Sequence, residues 1–377
     1  MISVLESISD MNIGGAGRLL VSRIKHSDRN RFQYTVIAPH GSKLIPLLKN
    51  AGAKIIEVDG CKDKSFDLKS IATLYKIIKF ESPDILNSHA CITARISGRL
   101  AGVRVNLYTR HCDFPVSRLF LLPFVKMLFG AMNNLICDGI IAVSYSAKRN
   151  LLLLGIDDKR IKVIVNGAER MQSLTNEEKQ KIKAGLKIPA DAKVISIFAR
   201  LEQYKDHKTF LRAANLFKND KKKYFLIVGS GSLEHELRAY ARHLGLTDNV
   251  RFLGFVDDVF KIMNTTDINV NSSIGTETSS LALSEGMSLG VPAIASDYLG
   301  NRYMVQHGVN GLIFKQGDYR GLAESISVLT HNKALYEKLS KNARERFLKE
   351  LNVNRMTRDT EKYYISMLKK KLNISLD

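Results

Sequence analysis

Cysteine is scarce in this chain of 377 residues: Cys61, Cys91, Cys112 and Cys137 are the full set, and no two form a C-x-x-C pair. That spacing argues against a disulfide framework or a cysteine-based zinc site and suits a reducing compartment. Long apolar runs are missing too. No stretch reaches the roughly 18–20 uncharged apolar residues of a membrane-spanning helix. Met1-Ile2-Ser3-Val4-Leu5-Glu6 offers no basic region ahead of an apolar one, so no secretory signal is expected. Acidic residues are in deficit: 57 Lys and Arg against 37 Asp and Glu leave a net charge of +20, spread over both halves. Such a field attracts nucleotide diphosphates, nucleic acid or an anionic bilayer. Neither an aromatic RNP-like strand nor a zinc finger is present, and nucleic acid is not expected as a partner.

What remains is ordinary globular material. Hydrophobic residues make up 45% and charged residues 25%, enough to build cores and too apolar for disorder. The length implies two domains of roughly 150–200 residues each. Short β-branched runs alternate with helical patterns throughout, the mark of parallel α/β layers. Ile2–Ser7, Tyr34–Ala38, Lys54–Val58, Asp84–Asn87, Asn106–Thr109 and Gly139–Val143 read as strands, with a helix over Arg18–Ile24. The pattern restarts with strands at Lys193–Ala199, Tyr224–Val228, Val250–Leu253, Ile268–Asn271 and Ala293–Ser296, and a helix over Lys208–Phe217. The polar stretch 167–192 between them reads as the hinge, and Arg355–Leu372 as a last amphipathic helix. The expected fold class is α/β, with two doubly wound Rossmann-like domains facing across a cleft. The first covers 1–166, with 355–377 packing back on it, and the second covers 167–354. In open sheets of this kind, ligands bind at the carboxyl ends of the strands.

Gly14-Gly15-Ala16-Gly17 follows the first strand and opens a helix. Glycines there let backbone N–H groups approach a phosphate, although a plain strand-to-helix turn uses the same residues. A dinucleotide site would want G-x-G-x-x-G and a carboxylate closing the second strand. The third glycine is missing, and the second strand ends Ile37-Ala38-Pro39-His40. The most informative segment is Glu277-Thr278-Ser279-Ser280-Leu281-Ala282-Leu283-Ser284-Glu285, an E-x₇-E pair that begins in a loop and ends in a helix. Eight helical steps overshoot two turns by only about 80°, so both acids can face one ligand. Carboxylates suit paired sugar or ribose hydroxyls, and Ser279 and Ser280 suit a helix start.

Gly290-Val291-Pro292-Ala293-Ile294-Ala295-Ser296-Asp297 and then Gly308-Val309-Asn310-Gly311-Leu312 follow that pair. In this order and spacing the sequence resembles the retaining GT-B glycosyltransferases of the family-4 type. The resemblance runs the length of the chain. Ala199-Arg200-Leu201 with Lys205 is similar to the family's donor clamp, which implies that Arg200 and Lys205 hold the diphosphate. It implies Glu277 on the transferred sugar, Glu285 on the ribose, and the amides of Ser280 and Leu281, beside Ser279, on the diphosphate. Gly254, Phe255 and Val256 would border the base, and Gly14 and Gly15 the donor phosphates. Ile164-Val165-Asn166-Gly167-Ala168 resembles the segment closing the first domain. Asp84-Ile85-Leu86-Asn87-Ser88-His89 follows the family's strand pattern, which implies His89 near the anomeric carbon and the acceptor. His111 ranks second in that role.

The implied reaction is metal-independent and cofactor-free transfer of a sugar from a nucleotide-sugar donor with retention. No D-x-D motif is evident, and no carboxylate stands where a covalent nucleophile is needed, which favours front-face displacement. Catalytic groups would then be His89, Glu277, Arg200 and Lys205. A UDP-sugar donor is favoured over a GDP-sugar. The acceptor would be a glycan or a polyprenyl- or other lipid-linked sugar in surface polysaccharide, lipopolysaccharide or glycolipid synthesis. A sugar-nucleotide epimerase of the same fold and a noncatalytic anion-binding or nucleic-acid-binding protein are the rivals. One departure stands out: the family's E-G-F-G is Glu277-Thr278-Ser279-Ser280 here. The apolar stretch Phe114–Ile136 reads either as a buried helix or as a surface for membrane or lipid-linked acceptor. With Arg118, Lys126 and the terminal Lys369-Lys370-Lys371, it leads to an expected location in the cytoplasm, peripheral on the inner face of the cell membrane.

Overall fold

In the computed structural model, residues 1–59, 67–89, 91–114, 116–256 and 258–373 are described. Cys61, Pro115 and residues 374–377 of the segment expected to pack back on the first domain lie outside that set. The chain divides into two units, Met1–Ala168 with Val353–Asp377, and Glu169–Asn352.

The first unit is built on a seven-stranded parallel sheet in the order β3-β2-β1-β4-β5-β6-β7. Its strands are β1 (Ile2–Ile8), β2 (Phe32–Pro39), β3 (Lys54–Val58), β4 (Ile85–His89), β5 (Val105–Arg110), β6 (Gly139–Ala142) and β7 (Ile161–Val163). The strand order reverses between β1 and β4, and that is where a doubly wound sheet opens a crevice. The glycine cluster lies just past β1, and the helix there begins at Gly15, a full turn before the expected Arg18. Near-continuous apolar runs give strands buried on both faces, as a parallel sheet covered by helices demands. The terminal helix, Val353–Leu372, belongs to this unit and buries Met356, Tyr364 and Leu368. Gly139 on β6 makes room for it, since a Cβ there would meet the Tyr363 hydroxyl at 2.2 Å.

The second unit carries a six-stranded parallel sheet in the order β10-β9-β8-β11-β12-β13. These are β8 (Lys193–Phe198), β9 (Lys223–Val228), β10 (Val250–Gly254), β11 (Ile268–Asn271), β12 (Ala293–Ser296) and β13 (Gly311–Phe314). Ile195, Ile197, Phe210, Phe225, Ile227, Leu322 and Ile326 fill one side of it. The polar stretch 167–192 is not a free connector. It forms the helix Asn176–Gly185 with a Thr175/Glu178 capping box, and Ile188 and Ala192 are buried against Val194, Leu226 and Val228. The burial of these two apolar residues outweighs the polar composition around them.

The stretch Phe114–Ile136 forms a short turn, Arg118–Leu121, and a helix, Pro123–Ile136. Only Gly130, Asn133 and Ile136 of that helix are buried. Gly130 lies against the Gly155 backbone, where a Cβ would meet a carbonyl oxygen at 2.2 Å, and Asn133 Oδ1 accepts from Arg95 Nη1 at 3.0 Å. Phe124, Met127, Leu128 and Leu135 are exposed. Among the described residues no helix is long and apolar enough to cross a membrane.

The docking of the terminal helix rests on Tyr364, whose hydroxyl donates to Glu6 Oε1 at 3.0 Å and accepts from Asn87 Nδ2 at 3.0 Å. Tyr364→Phe should lower the unfolding free energy by about 1–3 kcal/mol, the cost of buried polar groups losing a partner. Tyr364→Ala should cost about 3–5 kcal/mol. Urea denaturation of the two variants checks the order.

Candidate active site

In the first unit, a carboxylate sits inside an otherwise apolar strand. Glu6 is fully buried on β1, where an isolated charge would be prohibitive. Four partners from three elements surround it: Arg23 from the helix Gly15–Lys25, Asn87 and His89 from β4, and Tyr364 from the terminal helix. Oε1 accepts from Arg23 Nη2 at 2.5 Å and from Tyr364 at 3.0 Å. Oε2 accepts from Asn87 Nδ2 and pairs with His89 Nε2, both at 2.9 Å. Burial alone would raise the Glu6 pKa, but the Arg23 and His89 charges and hydrogen bonds override it and hold the group at about 2.

His89, at the end of β4, is 5% exposed. Its second nitrogen, Nδ1, lies 2.7 Å from Nε2 of His111, and the two rings stack at 5.0 Å. His111, one residue beyond β5, is the half-buried one of the pair. Burial, with His89 and Arg23 nearby, pushes its pKa well below the usual histidine range. Both histidines line a small cavity with Leu19, Arg23, Thr109 and Asn166. His89 has both nitrogens engaged within the protein, and His111 is the more exposed of the two rings. Gly14 caps the helix Gly15–Lys25 without a side-chain hydrogen bond, and a Cβ on Gly15 would meet nothing within 4 Å. No internal packing therefore requires a glycine there.

The second unit brings together the residues expected to form a donor clamp. Lys205 Nζ donates to Glu277 Oε2 at 2.5 Å. The same oxygen accepts from Asn271 Nδ2 at 3.0 Å and Ser273 Oγ at 3.2 Å. Burial would raise the Glu277 pKa, yet Lys205 and these two donors keep it below the ordinary value. Arg200 Nη2 donates to the Tyr204 hydroxyl at 2.5 Å, and the Tyr204 ring lies 5.5 Å from Lys205 Nζ. Glycines fix the backbone here. A Cβ on Gly229 would strike the Ala199 carbonyl at 2.1 Å, and one on Gly300 the Glu277 carbonyl at 1.9 Å. Thr276 holds a left-handed φ of 50° immediately before Glu277, a conformation uncommon for a β-branched residue and typical of sites under constraint.

Ser280 caps the helix Leu281–Leu289 through its side chain, which accepts from the Leu283 amide. The first-turn amides that follow lie at the positive end of that helix. Ser279 and Ser280 are buried. Ser280 lines a crevice with Ala199, Asn271 and Ser273 at the ends of β8 and β11. Glu285 is half-buried in the second turn. At the end of β10, Gly254 takes a left-handed φ of 69° and its carbonyl accepts from the Gly229 amide at 2.8 Å. Phe255 is 57% exposed, and Val256 is packed at the edge of the second unit's core. Sequence reasoning missed Glu6, Arg23, Tyr204 and Asn271. Glu6 left one signal, a lone acid inside Val4-Leu5-Glu6-Ser7-Ile8.

Comparison with known proteins places both units. Residues 13–170 match Glycosyltransferase Family 4, and residues 178–346 match Glycosyl transferases group 1. The EpsD protein of Bacillus subtilis is 30% identical over 300 residues, 75% of this chain and 78% of its own. The UDP-Gal:alpha-D-GlcNAc-diphosphoundecaprenol alpha-1,3-galactosyltransferase of Escherichia coli is 26% identical over 373 residues, 94% and 95% of the two chains. Among solved structures, HepE of Anabaena in complex with UDP and glucose superposes with a TM-score of 0.84 at 20% identity, over 96% of this chain and 99% of its own.

Two outcomes follow from the geometry. Because the folded pKa of Glu6 lies below its ordinary 4.5, its stabilisation is complete above that value and is lost as pH falls toward 2. The loss should amount to about 3 kcal/mol. Urea midpoints measured down this range should fall, and a flat profile would show that Glu6 is not ionised. Gly300→Ala should displace the Glu277 backbone, cost about 1–3 kcal/mol and weaken ligand binding at Lys205, read by thermal unfolding and by titration.

Proposed function

The chain belongs to the glycosyl transferases of group 1 and family 4, retaining enzymes of the GT-B fold, and from that premise we propose a donor, an acceptor and a place of action. The donor is a UDP-sugar, and the acceptor is a lipid-linked glycan in the synthesis of a surface polysaccharide, lipopolysaccharide or glycolipid. The enzyme works as a peripheral protein on the inner face of the cell membrane. UDP is the nucleotide named with HepE, and the Escherichia coli relative is named for UDP-Gal and a diphosphoundecaprenol acceptor.

The observation that carries the donor reading is the Lys205–Glu277 pair beside the capped start of the helix Leu281–Leu289. A nucleotide-sugar offers a diphosphate next to a ring of hydroxyls, and a cation next to a carboxylate matches that order of charges. Arg200 and Lys205, with the amides of Ser280 and Leu281, would hold the diphosphate and stabilise the charge that grows as it leaves. Glu277 would accept from sugar hydroxyls and Glu285 from the ribose. Gly254, Phe255 and Val256 would border the base, while Gly14 and Gly15 would give the phosphates a close backbone approach. In a front-face displacement, the departing diphosphate takes the acceptor's proton while the sugar passes to the acceptor oxygen on the face it left. His111, in front of His89, is the first unit's ring for the sugar or acceptor hydroxyls.

The acceptor reading rests on the helix Pro123–Ile136. It is anchored along Gly130, Asn133 and Ile136 and turns Phe124, Met127, Leu128 and Leu135 outward, with Arg118 exposed near its start. An exposed apolar face with cations beside it suits the interface of an anionic bilayer. Lys370 adds exposed charge to the same unit, whereas Lys371 is paired with Asp138 at 2.7 Å.

Thermal-shift titration with UDP, GDP, CDP and ADP tests the donor. UDP alone should stabilise the protein, and a preference for GDP would replace the donor. Lys205→Ala should lower kcat by about 10²–10³-fold, as for other losses of charge stabilisation. For the membrane, Phe124→Glu with Leu128→Glu should lower binding to phosphatidylglycerol vesicles at least tenfold. Transfer to a short water-soluble acceptor should stay unchanged, and equal loss of both would sink the membrane reading.

A further inference from the structure

Glu277 takes its hydrogen bonds from the protein on one oxygen. Lys205 Nζ at 2.5 Å, Asn271 Nδ2 at 3.0 Å and Ser273 Oγ at 3.2 Å converge on Oε2. Among the described residues no donor reaches Oε1. A carboxylate has about four lone-pair sites over its two oxygens, so Oε2 is filled and Oε1 is open. The asymmetry is enforced by Asn271, at the end of β11. Its Oδ1 accepts from the Ser273 amide at 3.0 Å. A backbone N–H can only donate, so the side-chain amide has one orientation, with Nδ2 toward Glu277. The wholly buried Asn301 fixes the same orientation from behind. Its Nδ2 donates to Asn271 Oδ1 at 3.3 Å and to Ser296 Oγ at 2.9 Å. Ser296 Oγ in turn donates to the Ser273 carbonyl at 2.5 Å. Both backbone groups of Ser273 are thus tied, and β11, β12 and the helix Leu299–Met304 share one polar line that ends on Oε2.

We infer that Asn271 is a positioning residue which, with Asn301 behind it, commits Oε2 of Glu277 to the protein and leaves Oε1 as the acceptor for one edge of the donor sugar. An ionised oxygen receives an O–H and repels an anionic oxygen, so the point it faces selects a sugar hydroxyl over a carboxylate or phosphate group. Asn271 suits the task because it is neutral and brings no second charge beside Lys205. Burial alone would raise the Glu277 pKa, whereas Lys205, Asn271 and Ser273 lower it, so Oε1 stays an acceptor near neutral pH. Gly300 packs against the Glu277 carbonyl, where a Cβ would come within 1.9 Å, and the loop has little room to re-aim the carboxylate. The inference rests on the reading that Glu277 meets sugar hydroxyls.

The test is a double-mutant cycle on the full chain, read as UDP release from UDP-glucose, UDP-galactose and their N-acetylamino forms. Asn271→Leu removes the amide at similar size. It should lower kcat about tenfold or more, with UDP affinity close to the parent value, because UDP carries no sugar. In a Glu277→Gln background the same substitution should lower kcat far less, since the group it positions is already lost. Losses that multiply in full overturn the inference, as does an equal loss of UDP affinity in Asn271→Leu. Asn271→Asp keeps an acceptor for Ser273 and Asn301 and sets another against Oε2. It should lose as much kcat as Asn271→Leu, and it carries the cycle if Asn271→Leu does not fold. Carbon-13 NMR of the glutamate carboxyls, assigned with Glu277→Gln, needs no turnover. Glu277 should titrate below its ordinary 4.5 in the parent and at a higher pH in the Asn271 variant, and an unmoved titration overturns the inference too. If the parent consumes none of these UDP-sugars, the donor reading fails while the titration still judges Asn271.

Discussion

Each unit of this protein encloses a carboxylate that would not be stable there without a cation. In the first, Glu6 is held by Arg23 at 2.5 Å, and in the second Glu277 is held by Lys205 at 2.5 Å. Desolvating a carboxylate costs several kcal/mol, which a single ion pair offsets only when further donors complete its shell. Those donors are drawn from separate elements: α-helical Arg23 and Tyr364, with Asn87 and His89 on β4, around Glu6; Lys205, Asn271 and Ser273 around Glu277. The carboxylate thereby ties strand ends, a helix and a loop into one geometry. The terminal helix is brought into the first unit by the same requirement, since Tyr364 reaches Glu6 and Asn87 from a position hundreds of residues later in the chain.

Much of the architecture was legible because parallel strands buried on both faces are short apolar runs, and eleven of the thirteen strands among the described residues announce themselves that way. The two that do not, Ile161–Val163 and Gly311–Phe314, are three and four residues long at the edges of their sheets, too short for a period to be read. The stretch 114–136 is apolar enough for either a core or an interface. Its orientation is decided by Gly130 against Gly155, a contact between distant segments that periodicity does not carry. The same holds for the two histidines. Register along β4 puts His89 at a strand end, but whether it faces outward depends on Glu6 and His111, on neighbouring strands. The E-x₇-E segment was legible because its information is local.

The cation–carboxylate pairs also bear on what the large positive charge is for. Arg23 and Lys205 are spent on internal partners, so the net charge of +20 is a property of the surface. Arg200 differs from them, since it donates to the Tyr204 hydroxyl, a neutral group. An arriving diphosphate would therefore meet one cation already aligned by a carboxylate and one held by a tyrosine.

That asymmetry has a reason in entropy. A free lysine loses up to about 2 kcal/mol of side-chain freedom when a ligand immobilises it. With its ammonium on Glu277 and its backbone carbonyl accepting from Ser272 Oγ at 2.8 Å, Lys205 has lost that freedom before any ligand arrives. Preorganised charge stabilises a developing anion without reorganisation during the reaction. The Glu277 carboxylate would weaken the attraction between Lys205 and a resting diphosphate, and that opposition shrinks in relative terms as negative charge accumulates on the leaving group. On the proposed reading, a clamp built in this way would favour the charge-separated state over the bound substrate, which is the difference on which catalysis depends.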